Sequence, residues 1–249
     1  MSTRSLASTP PEQVAAEWDA DGVGILERAV AGSASRADLL DDSPKATARH
    51  EEIADRVVDV MAARAWHALP PPSHGRARRV ARRCVAYSLA ADTVRVDGSA
   101  GARADCWALT THALELLTIP EHFDAAARRS RELLGVAPHG RLLAAWRMVD
   151  DGLEVLGTTR HEWVGADPAI VAAAGWVLVD RISRLLNGAA LVAQAATAAS
   201  APTTELLVNA ARRYAWNHLR RPAPEAATPT HVQRSADLVH AFLTPGTLP

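Results

Sequence analysis

Asp105, His112 and Glu115 carry the chemistry most directly legible in this chain. Seven residues are nearly two turns of an α-helix and three are nearly one, so a helix over 103–118 puts all three on one stripe. An imidazole that titrates near neutrality, oriented by a carboxylate, can serve as a general acid–base group. His112 would be base or acid, with Asp105 or Glu115 orienting it. The same spacing also describes an ordinary solvated helix face with an intrahelical ion pair. Two His-Gly-Arg triplets, at 74–76 and 139–141, sit where helices are expected to begin. Free backbone N–H groups and the positive dipole end there suit phosphate or carboxylate, which makes Arg76 and Arg141 candidate clamps for an anionic group. Trp107, next to Cys106, is a candidate wall for a ligand pocket between helices.

Other chemistries are missing their signatures. Cys84 and Cys106 stand 22 positions apart, and the chain has no CxxC, HExxH, GxGxxG or P-loop. Cys106 and His112 point in different directions from one helix, so a thiol-dependent function is not expected. The acidic run around His50, Glu51, Glu52 and Asp55, with His161-Glu162 elsewhere, lacks the Glu-x-x-His pattern of a di-iron carboxylate bundle. No metal and no cofactor is expected.

The elements that must position these residues are helical. Hydrophobic residues make up 48% of the 249, yet aromatics make up only 4%, and seven of those are Trp. The apolar bulk is Ala, Leu and Val, and its Ala and Leu are strong helix formers, so an all-α, compact bundle of eight or nine helices follows. Residues 1–10 read as a disordered leader, and 11–249 as one helical domain. The first helix is expected to run from Pro11 to about Asp21-Gly22. Others are expected near 44–67, 74–95, 103–118, 120–134, 139–157, 167–198, 203–219 and 229–243, with prolines and glycines between them. The stretch 96–101, Val-Asp-Gly-Ser-Ala-Gly, reads as a flexible linker. The run Ala169–Val179 is apolar all round, so 167–198 is the expected central helix, with Trp176 buried in it.

The segment from Trp163 through Trp176-Val-Leu-Val-Asp-Arg-Ile-Ser-Arg-Leu-Leu-Asn-Gly188 resembles the closing helix of the alkylhydroperoxidase / carboxymuconolactone decarboxylase family. That resemblance implies an all-helical, commonly oligomeric protein. Peroxidase members of the family use a Cys-x-x-Cys pair with a nearby His and Glu. Here Leu109 stands where the second cysteine would be, so no catalytic residue carries over.

Net charge is -1, which gives no global field for nucleic acid or an anionic membrane surface. The longest apolar run falls well short of the twenty or so residues a bilayer requires. With two cysteines and no apolar leader, a cytoplasmic protein is expected. Two functions remain. One is a helical enzyme acting on a small organic substrate by His/carboxylate chemistry, for which His112, His67 and His161 would have to converge on one cavity. The other is a non-catalytic assembly, scaffold or regulatory protein with a protein partner. A homo-oligomer fits either.

Overall fold

A computed structural model describes residues 10–34, 44–69, 75–117, 119–135, 137–163, 168–198, 200–220 and 229–244. Residues 1–9 of the expected leader at 1–10 lie outside the described residues. Among the described residues there are nine α-helices and no strand: α1 (Pro11–Ser33), α2 (Pro44–Ala68), α3 (Gly75–Asp97), α4 (Ala100–Leu117), α5 (Pro120–Leu134), α6 (Leu143–Trp163), α7 (Pro168–Thr197), α8 (Ala201–His218) and α9 (Pro229–Leu243). The all-α bundle is what the Ala- and Leu-rich composition predicts. No helix among them is long and apolar enough to cross a membrane.

Helix α7 is central, packing against α2, α3, α4, α5, α6 and α8. On the other side α1 lies along α3, and α9 closes over α2. Buried residues from Val14 on α1 to Val239 on α9 form one core. Within the expected apolar run the side chains of 168–174 lie outside the described residues, and Trp176 is not buried as expected. Trp176 is 54% exposed and Val177 is also exposed, whereas Leu178, Val179 and the unbroken stretch from Ile182 to Val192 are buried. The buried stretch carries polar groups: Arg184 and Asn187 donate to Asp92 and Ser88 on α3, and Ser183 donates to Val179 O within α7. Trp176→Asp should accordingly change stability by no more than about 1 kcal/mol in urea denaturation, as expected of an exposed position away from buried contacts.

Two sequence breaks turn out to be packing devices. The Asp21-Gly22 stop does not end α1, which continues to Ser33. Gly22 is buried against α3, and a Cβ there would stand 2.9 Å from Leu89 Cδ1 and 3.0 Å from the Trp18 ring. Its glycine serves a close helix–helix approach within a continuous helix. The expected linker at 96–101 is a tight corner: α3 runs to Asp97, Gly98 takes φ +66°, and α4 begins at Ala100. The Asp97 carboxylate accepts from Ser99 N at 2.8 Å and Ser99 Oγ from Ala102 N at 3.3 Å, which caps the new helix.

The arginine run at the start of α3 pins α1. Arg82 pairs with Asp19, and Arg83 pairs with Glu12 at 2.9 Å. Arg78 and Arg79 stay exposed.

Candidate functional site

A cleft of about 370 Å³ opens between α1, the end of α2 and α7, lined by Asp19, Ala20, Val23, Arg64, His67, Ala68 and Gln194. Helical spacing explains the convergence. Asp19 and Val23 are one turn apart on α1, and Arg64 and His67 share a face at the end of α2. Burial holds the His67 imidazole below its ordinary value; Asp19 works against that shift, and Arg82 adds to it. His67 is therefore neutral at neutral pH and able to accept a proton. Arg82 donates to Asp19 through both Nε, at 2.7 Å, and a terminal nitrogen, and both bonds go to Oδ2. Among the described residues Oδ1 keeps no such bond. Arg64 Nε donates to Glu27 at 2.5 Å. The cleft thus collects a neutral base, a fixed carboxylate, a guanidinium and an amide.

The stripe expected on α4 is placed only in part. Asp105 accepts a hydrogen bond from Trp18 Nε1 at 3.0 Å, which ties α4 to α1. The side chains of His112 and Glu115 lie outside the described residues, as does that of Arg76. Arg141 follows Gly140, at φ +70°, in a short 3-10 turn and reaches α8, donating to Glu205 at 3.1 Å and to the Asn209 side chain. Trp107 is 75% exposed on α4 and lines neither this cleft nor the one between α5 and α6 described below. Of the three histidines an enzyme would have to gather, His67 lines the cleft and His161 is exposed at the end of α6. Trp18 and Trp66 are core anchors, while Trp107, Trp176 and Trp216 are exposed.

A buried polar network with no signature of its pairing in the linear sequence lies in the middle of the bundle. Arg184 on α7 is 2% exposed and grips the Asp92 carboxylate of α3 with both terminal nitrogens, at 2.8 and 2.6 Å. Burial opposes the Arg184 charge, but Asp92 and neighbouring groups outweigh it and raise its pKa. Nearby, Asp59 of α2 and His218 of α8 meet at 2.6 Å. Burial would raise the Asp59 pKa, yet His218, with Arg184 and Arg95, holds it below its usual value. Asp59 belongs to an acidic ladder, Glu51, Asp55 and Asp59, spaced one turn apart. Arg213 donates to Glu51 at 2.8 Å and to Asp55 at 2.7 Å, and Asn217 donates to Asp55. The acidic run that resembled metal ligands thus fastens α2 to α8. Among the described residues no three His, Cys, Asp or Glu side chains group as metal ligands would. The fourfold spacing of 51, 55 and 59 was the available signal, but its partners lie more than 150 residues away.

Neither cysteine is poised as a nucleophile. Burial pushes the Cys84 thiol up to about 12 and that of Cys106 up to about 11. No protein-family model, curated protein or solved structure matches the chain.

Proposed function

We propose that the protein is an acid–base enzyme for a small organic anion, with His67 as the proton acceptor. What supports this is the cleft itself, where a histidine kept neutral by burial stands with Asp19, Arg64 and Gln194 around one ligand-sized space. His67 takes a proton from a weakly acidic C–H of the substrate, and the Asp19 carboxylate stabilises the imidazolium that forms. Arg64 holds the substrate's carboxylate, and Gln194 offers an amide to a neighbouring oxygen. The proton then returns from the imidazolium or exchanges with water. This keeps the His/carboxylate chemistry expected from the sequence and moves it from the α4 stripe to the α1–α2 cleft. The segment Trp163–Gly188 that resembles the alkylhydroperoxidase family supplies none of these groups.

The test is proton–deuterium exchange at the carbon next to the keto group of small keto acids in D₂O, followed by NMR. The wild-type protein should catalyse exchange, and His67→Ala should slow it by about 10² or more, the scale for losing a general base. An NMR titration should place the His67 midpoint below the ordinary value near 6.5. A wild-type protein that exchanges no keto acid, with His67 titrating at its ordinary value, would overturn the reading. Exposed Trp107 and Trp176 favour a second reading, a non-catalytic protein that assembles with copies of itself. Sedimentation showing only monomer would remove it.

A further inference from the structure

We propose that a second cleft, between α5 and α6, binds an aromatic carboxylate. The two helices lie antiparallel. At one end Trp146 Nε1 donates to Leu134 O at 3.1 Å, and at the other the Arg160 guanidinium lies 5.2 Å over the Phe123 ring. Between these ends is a space of about 370 Å³ that shares no residue with the His67 cleft. Leu153 and Phe123 give it an apolar floor, and Gly157 leaves that floor open, since nothing stands within 4 Å of where its Cβ would be. A flat apolar body fits such a floor, beside an aromatic ring.

The charge around this floor is one-sided. Arg128 and Arg131 line the cleft with Asp124 as the opposing acid. Elsewhere in the bundle Arg82, Arg83, Arg184 and Arg213 each hold a carboxylate. Arg128, Arg131 and Arg160 have no carboxylate partner among the described residues. Arg160 does not line the cleft, but it stacks on Phe123, which does, and its Nε and one terminal nitrogen are buried without any acceptor. Leaving donors of a charged group buried and unpaired is costly, and an arriving anion offsets that cost. A carboxylate matches the planar fork of a guanidinium, with two parallel hydrogen bonds available. An apolar floor with unpaired guanidiniums at its edge selects a molecule that is aromatic at one end and anionic at the other.

The experiment uses the full chain and benzoate as probe, read by amide chemical-shift changes on α5 and α6 at low ionic strength. Saturable shifts there are expected for the wild type. Gly157→Leu, which fills the floor and spares every charge, should weaken binding at least about tenfold. Arg128→Gln/Arg131→Gln, two exposed positions that should fold normally, should do the same. His67→Ala should leave these shifts unchanged, so failure here and failure of the acid–base reading are distinguishable. Absence of saturable shifts in the wild type would overturn the proposal. So would benzoate affinity unaffected by both variants, or equal affinity for neutral benzamide or for inorganic phosphate.

Discussion

Arg184→Ala should destabilise the protein by about 3–5 kcal/mol in urea denaturation, the largest loss expected from any single truncation in the core. Arg184 is buried, and its partner Asp92 is 4% exposed. Removing the guanidinium leaves the Asp92 carboxylate in the interior with Arg95, itself more than half exposed, as its remaining ionic partner. It also strips one positive charge from the surroundings of Asp59. The loss measures an uncompensated charge more than the worth of the pair. Arg184→Met/Asp92→Leu removes both charges and should recover most of the stability, because buried ion pairs and well-packed apolar replacements are often nearly equivalent. A double variant no more stable than Arg184→Ala would show that the network is needed for the packing of α3 on α7 and not only for charge balance.

His218→Leu should cost about 3 kcal/mol at neutral pH, and the cost should shrink on acidification. In the wild type the folded-state pKa of Asp59 is lowered. A carboxyl of that kind contributes stability that is present above its unfolded value, 3.8, and is lost as pH falls through the folded value. Removing His218 takes away the largest group holding the pKa down, so burial is opposed only by Arg184 and Arg95. The folded pKa of Asp59 then rises, and the sign reverses: the buried carboxylate is penalised at neutral pH and relieved when it takes up a proton. Urea denaturation of both proteins between pH 4 and 7 should show their stabilities drawing together toward the acid end. Curves that stay parallel would mean that Asp59 is solvated in the variant.

Both predictions concern residues that the linear chain hides. The helices themselves are legible in it: Pro at the first position of α1, α2, α5, α7 and α9 and the Ala/Leu-rich composition mark their starts and their class. Breaks were harder to read, because a glycine that ends a helix and one that lets another helix approach are the same letter. Gly98 does the first with φ +66°, and Gly22 does the second beneath Leu89.

The candidate sites divide in the same way. Asp105, His112 and Glu115 were found because they lie on one helix, where spacing alone sets the geometry. Asp19, His67 and Gln194, or Asp59 and His218, come from different helices, and no period in the sequence links them. Trp176 shows the converse: its apolar neighbourhood invited burial, yet it is exposed. Secondary structure follows from short-range sterics and propensity, which the sequence states residue by residue. Which charged groups are buried together is decided by packing, because an arginine can enter the interior only where another helix brings a carboxylate to meet it.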